Sequence, residues 1–451
     1  MFLAFAARAA TRPRYGGTLR VELQAQISSL DPTTGPEDAV NTRALAKLHE
    51  LLYDRLVRFD AEGKPQPALA VRWEHDAQSA TWRFHLRPGV RWHDGSPLTP
   101  ADVLPALENV VPGHPFRLSG DALEIDTGDP QLDLLLTLAS SPTADIRRAE
   151  SGAADTPPVG TGPFRIGDWQ PGRRIVLAAN DDYWGGRPYL DAIEIALGRP
   201  SRDQLIDLEL DKADVVALGP AEARRAQQEG RRIWTSAPIE LVCLWSAAVE
   251  DRRLREAIAR SIDRVAIQKV LLQNFGEVAG GVFPAWLSGY GLLFSTAANL
   301  DRARQLRAQI GSPPALRLGY DANDPLTRQM AERVAVNARD TGITLQPSPL
   351  AEEQPGSASG TDLRIRRLRI EGPRFAAAVR QATRWRLLSP QVRDDPEVVY
   401  ATEKQLIEDF TVVPLVHVPE IVGLGPRVKN WSARPWGEWR LDDVWVEAEK
   451  P

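Results

Sequence analysis

The stretch from Glu50 to Val110 constrains this chain most. Trp82, Phe84 and Leu86 alternate with Arg83 and His85, the period-two pattern of a half-buried strand. Pro88-Gly89 and Asp94-Gly95 supply turns that need a fixed or positive φ. Thr99 suits a helix N-cap, Pro100 the first helical position, and Asp102 follows the cap by three residues. The stretch therefore reads as strand, turn, strand, turn, capped helix. Packing alone accounts for every residue in it, without any catalytic group.

At 451 residues the chain is too long for one core, so two or three domains are expected. Its 55 basic and 60 acidic residues leave a net charge of −5, with no general drive toward nucleic acid or anionic membrane. The apolar run from Leu132 to Ala139 is interrupted by Asp133 and Thr137, and spanning a bilayer takes roughly 20 apolar residues. The single cysteine, Cys243, excludes an intramolecular disulfide and any multi-cysteine metal cluster, and it reads as a small buried apolar residue. Residues 1–15 read as the remnant of a signal peptide followed by a linker, with Ala7-Arg8-Ala9 in small-x-small form.

Leu19, Val21 and Leu23 share one face of an opening strand that ends at the Ser28-Ser29-Leu30-Asp31-Pro32 turn. Asn41 to Tyr53 has helical spacing. Val159-Gly160-Thr161-Gly162-Pro163-Phe164 forces a tight bend into a strand; no Lys-Ser/Thr follows, so it is not a phosphate loop. Glu240–Trp245 and Val412–His417 are apolar strands. Leu316–Tyr320, Pro325–Thr341 and Ile343–Leu345 form a β-α-β unit closed by Gly342. In Asp362–Ile370 four arginines interleave with apolar residues. Alternation puts Arg364 and Arg366 on one face and Arg367 and Arg369 on the other. Such a pair is either solvated and paired with acids, or holds a carboxylate or phosphate.

Several of these segments resemble the family-5 extracellular solute-binding proteins of ABC importers, which include peptide and nickel receptors. The resemblance rests on Pro67–Val103, on Gly160-Thr161-Gly162-Pro163-Phe164, on Asn180–Asp191 with its Tyr183-Trp184-Gly185-Gly186, and on Asp251–Arg264. It extends over roughly residues 16–431. It implies an α/β, two-lobe periplasmic-binding-protein-like fold (type II, cluster C-like) with a shortened satellite subdomain. Lobe one would cover residues 16–245, with the satellite at about 46–158; lobe two would cover 246–417, and 418–451 would return to lobe one.

The resemblance further implies a periplasmic or extracytoplasmic receptor, a monomer, that closes on a peptide-like solute and delivers it to permease subunits. The hinge crossings would lie near Trp245-Ser246 and near His417. The implied ligand contacts are Ser29 and Leu30 from lobe one, Trp245, Ser246, Trp286 and His417, with Asp362 facing a ligand amine. A degenerate member serving as a sensing or interaction module is the alternative. No catalytic constellation stands out, so no enzyme activity and no cofactor are expected. His75, His85 and His93 lie close in sequence but lack the spacing of a metal site.

Overall fold

The computed structural model describes residues 12–30, 39–76, 78–129, 133–148, 158–246, 248–289, 295–311, 314–350, 360–370, 372–384 and 396–448. The leader segment, the Asp31-Pro32 turn and residues 351–359 lie outside the described residues.

The chain opens with β1 (Thr18–Glu22) and α1 (Ala39–Leu52). The satellite follows: hairpin strands β2 (Val57–Phe59) and β3 (Pro65–Pro67), then β4 (Ala70–Asp76), β5 (Thr81–Leu86), α2 (Pro100–Val110), β6 (Phe116–Ser119), β7 (Ala122–Asp126) and α3 (Leu134–Ser140). Strands β4-β5-β7-β6 form one antiparallel sheet over a core that includes Phe84, Trp92, Leu123 and Leu107. The α2 cap forms as expected, with the Asp102 carboxylate accepting from both the Thr99 N–H and its hydroxyl. This unit has a sheet of its own, and its core takes in Ile239, Ala377 and Trp436 from elsewhere in the chain.

The chain returns to lobe one through β8 (Phe164–Gln170), β9 (Arg174–Ala179), β10 (Ala192–Ala196), α4 (Ser201–Glu209), β11 (Val215–Ala217) and α5 (Pro220–Gln228). Strand β12 (Arg232–Trp245) then leads into lobe two. There follow α6 (Arg252–Ser261), α7 (Arg264–Ala266), β13 (Glu277–Val278), α8 (Ala285–Ser288), α9 (Leu300–Ile310), β14 (Leu316–Asp321), α10 (Pro325–Arg339), β15 (Leu345–Leu350), β16 (Leu363–Arg369), α11 (Phe375–Arg384) and α12 (Pro396–Glu408). Strand β17 (Val412–Leu424) runs back to lobe one.

A single sheet joins the lobes in the order β15-β14-β16-β12-β17-β11-β1-β10-β9-β8. Its centre is the antiparallel pair β12 and β17, each long enough to serve both lobes. Val422 and Leu424 belong to the lobe-one core, whereas Val242, Leu244, Val413 and Val416 belong to lobe two. Between them Pro238 pairs with Pro419, and the register shifts on both sides of Pro238. Neither proline has an N–H to give the ladder, so the pairing is interrupted there, as it is again between Val242 and Cys243 opposite Pro414. The crossing therefore lies at Ser236–Glu240 and Val418–Glu420. The expected crossing near Trp245-Ser246 lies several residues further along, at the far end of lobe two, and His417 lies just before Val418 on the return strand.

The Gly160-Thr161-Gly162 bend is explained by close approach. A Cβ on Gly160 would lie 2.0 Å from the Leu52 carbonyl oxygen, and one on Gly162 would lie 2.7 Å from that of Leu51. Beside this bend the Asp54 carboxylate accepts from Thr161 Oγ1 (2.9 Å), Trp184 Nε1 (2.8 Å) and Tyr183 Oη (3.2 Å). The family-like segments around Gly160 and Tyr183 thus meet at the end of α1. Gly160→Ala is expected to lower stability by about 1–3 kcal/mol, the usual cost of overpacking, measured by urea unfolding; an unchanged midpoint would contradict this packing.

Candidate functional site

Helix α1 presents Arg43, Lys47 and Glu50 on one face, with Asp54 just beyond it, spaced three or four residues apart. Two glutamates at the strand crossing meet that face. Glu240, fully buried, is held by Arg43 Nη1 from lobe one (3.0 Å) and by Arg367 Nε from lobe two (2.5 Å). Arg367 also reaches Asp324 (3.1 Å), whose carboxylate caps α10 by accepting the Leu326 N–H. Glu420 takes Lys47 Nζ from lobe one (2.7 Å) and lies 3.7 Å from Arg369 Nη1 of lobe two. Each glutamate therefore carries a cation from either lobe.

The electrostatics follow from burial and pairing. Burial alone would push the Glu240 carboxyl up; Arg367, Arg43 and Arg369 outweigh it and hold it at about 2. Burial lowers Arg43 and Lys47, and their glutamate partners offset part of that. Burial would also lower Arg367, but Glu240 and Asp324 raise it above the usual arginine value. Glu50 behaves in the opposite way: burial and the nearby Glu438 push it up to about 8.

Beside this ladder lies a chamber of about 370 Å³ between the lobes. Lobe one contributes Gln24 and Ala25 beyond β1, the first turns of α4 and α5, and Arg43 and Lys47. Lobe two contributes Leu272, Phe275, Arg367 and the first turn of α10, and the crossing contributes Val418–Ile421. Its position beyond the carboxyl ends of β1, β11 and β14 is where open α/β sheets bind ligands. The lining mixes apolar walls with a few fixed charges, as small-molecule sites do.

The residues singled out from the sequence are placed as follows. Trp286 reaches the crossing, where its Nε1 donates to the Pro238 carbonyl (2.8 Å), and it stays 37% exposed. Ser29 is half-buried beyond β1, while Leu30 is packed into the lobe-one core. His417 is buried, donating from Nε2 to the Val282 carbonyl (3.1 Å) with Nδ1 3.5 Å from Glu277. Trp245, Ser246 and Asp362 lie at the end of lobe two remote from the crossing. Trp245 pairs with Arg364, at the start of β16, and Ser246 gives its hydroxyl to the carbonyls of Phe410 and Thr411. Asp362 accepts the Arg317 N–H (2.7 Å), about 20 Å of extended strand from Arg369. The alternation of arginines holds: Arg367 and Arg369 face the seam, and Arg366 lies 5.2 Å over the Trp245 ring on the other face. Sequence reading missed Arg43, Lys47, Glu240 and Glu420. A glutamate close to each of two prolines in otherwise apolar strands was the available signal.

Two outcomes are expected here. Glu240→Gln removes one partner from a buried network and should cost about 3–5 kcal/mol, read by urea unfolding. The depressed value of Glu240 makes its contribution complete above pH 4.5 and lost as pH falls toward about 2. Glu50 has the reverse sign: its raised value favours the protonated folded form, so the parent should lose stability relative to Glu50→Gln as pH rises from 4.5 to about 8. Parallel pH profiles for Glu50→Gln and the parent would contradict this reading.

Comparison with known proteins agrees with this architecture. Residues 64–369 match the model of bacterial extracellular solute-binding proteins, family 5 Middle. The dipeptide-binding protein of Escherichia coli is 27% identical over 348 residues, 65% of each chain. The nickel-binding protein NikA of Staphylococcus aureus is 24% identical over 312 residues, 65% of this chain and 63% of that one. The chain thus spans less than two thirds of the length of these relatives. In fold it is similar to S. aureus NikA in complex with Ni(L-His)2 (TM-score 0.80, 19% identity, covering 95% of this chain and 100% of that one). It is similar also to the Helicobacter pylori periplasmic binding protein DppA in complex with the peptide STSA (TM-score 0.79, 19% identity, 97% and 99% covered). With the family model matched over more than half its length, on a sheet whose two central strands join two α/β lobes, the chain belongs to family 5 of the bacterial extracellular solute-binding proteins.

Proposed function

We propose that this protein is the extracytoplasmic receptor of an ABC importer and takes a peptide-like small solute between its lobes. The observation that carries the reading is the chamber of about 370 Å³ at the strand crossing, walled by both lobes and lying beyond the carboxyl ends of their strands. Family membership supports it, as does the dipeptide-binding relative. Among the described residues no helix is long and apolar enough to cross a membrane.

Capture requires no covalent step. A solute that touches both lobes binds the closed arrangement better than an open one, and that difference in affinity drives closure about Pro238 and Pro419. The closed receptor then presents both lobes to the permease subunits. Ser29, beyond β1, and Trp286, on the Pro238 carbonyl, remain our candidate contacts outside the chamber's lining.

Native mass spectrometry of the purified protein should show a small solute carried through purification. The isolated solute should then stabilise solute-free protein by about 2.7 kcal/mol at a hundredfold excess over its Kd, and Arg367→Gln should weaken that effect. A panel of peptides that neither binds nor shifts Tm, together with no co-purifying solute, would overturn the reading.

A further inference from the structure

One short segment of lobe two leaves its own core and enters that of lobe one. Ile267 and Leu272 are fully buried in the lobe-two core. Phe275, only three residues past Leu272, packs instead against the apolar cluster of lobe one that contains Leu205 and Leu208 of α4, Val216 of β11 and Ala223 of α5. Leu271, Leu272 and Phe275 line the large chamber, as do Leu218–Ala221 and Ile421 of lobe one. The chain itself therefore bridges the lobes along one wall of the chamber.

The backbone of this segment is built for that step. Ile267–Leu271 is a π-helical turn: the Leu272 N–H donates to the Ile267 carbonyl (3.1 Å), where an α-helix would use Gln268. Such turns are rare and gather at functional sites. Gln273 and Asn274 follow with φ of +50° and +66°. Left-handed backbone is unfavourable for residues that carry a Cβ, and it persists where the surroundings impose it. Here the Asn274 N–H donates to the Gln268 carbonyl (3.1 Å) and the Phe275 N–H to that of Leu272 (2.7 Å). Gly276, at φ +81°, then lies flat on the return strand, where a Cβ would meet the His417 carbonyl oxygen at 2.3 Å. The chain thus reverses between Leu272 and Gly276 and carries Phe275 out of lobe two.

The place of this contact gives it leverage over the lobes. Gly276 is seated one residue before Val418, where the crossing begins, so Phe275 sits close to the axis about which the lobes turn. A ring packed there meets lobe one at one interlobe angle. Turning the lobes away from that angle returns apolar surface of the ring and of the cluster to water, which is unfavourable.

We propose that Phe275 is an interlobe latch, which holds the lobes at the closed angle before any solute arrives. Part of the closure is then built into the chain, and less is left for the solute to drive. The latch does not depend on what the chamber takes.

Double electron–electron resonance on solute-free full-length protein, its mass checked by native mass spectrometry, tests the assignment. Labels on Leu210→Cys in lobe one and Val336→Cys on α10 of lobe two occupy positions that are 58% and 38% exposed, and both lie outside residues 267–276. The labelled parent should give one narrow distance peak. Adding Phe275→Ala should move weight from that peak to longer distances. Leu306→Ala, a truncation inside the lobe-two core, should lower the urea midpoint and leave the peak in place. A peak in folded Phe275→Ala that matches the parent's, or an equal change in Leu306→Ala, would overturn the proposal. The parent also decides without any variant: a broad distribution reaching long distances in solute-free parent would overturn it.

Discussion

Two glutamates at the strand crossing tie this molecule together. Glu240 and Glu420 stand where the paired prolines Pro238 and Pro419 interrupt the ladder between β12 and β17. The ladder is interrupted at that point, and charges gather there: Arg43 and Lys47 arrive from lobe one, Arg367 and Arg369 from lobe two. Buried ion pairs add little net stability compared with apolar packing, but removing one member leaves its partners uncompensated. The ladder therefore serves register and lobe orientation more than bulk stability. It also determines where a solute can sit, because the large chamber opens beside it.

Helix α1 links this crossing to the scaffold. Its carboxyl end lies against Gly160 and Gly162, and Asp54 just beyond it gathers Thr161, Tyr183 and Trp184. Its middle supplies Lys47 and Glu50, and Lys47 also stacks 4.3 Å over Trp439. One helical face thus connects satellite, closing segment and lobe two.

Much of the scaffold was legible in the sequence because local chemistry specifies it. The Thr99 cap, the period-two strand from Thr81 to Leu86 and the glycine bend at residues 160–162 each carry their own explanation. The crossing was not legible. Glu240–Trp245 and Val412–His417 read as short strands; in the structure each is one end of a longer strand that continues through Pro238 or Pro419. Trp245, Ser246 and Asp362 were expected beside the crossing, and in the structure they lie toward the other end of their strands. The arginines of β16 divided between faces as alternation requires, but the partners of Arg367 and Arg369 come from residues far away in sequence, which no local pattern reveals.

The distance between the lobes tests the central role of Glu240 and Glu420 most directly. Spin labels on Leu210→Cys in lobe one and Val270→Cys in lobe two occupy positions that are 58% and 62% exposed. Native Cys243 will not compete, being fully buried with its thiol pushed up to about 12 by that burial. Double electron–electron resonance on the labelled parent should give one narrow distance distribution, and adding Glu240→Gln with Glu420→Gln should broaden it toward longer distances. An unchanged distribution in the double variant, with the protein still folded, would contradict the account.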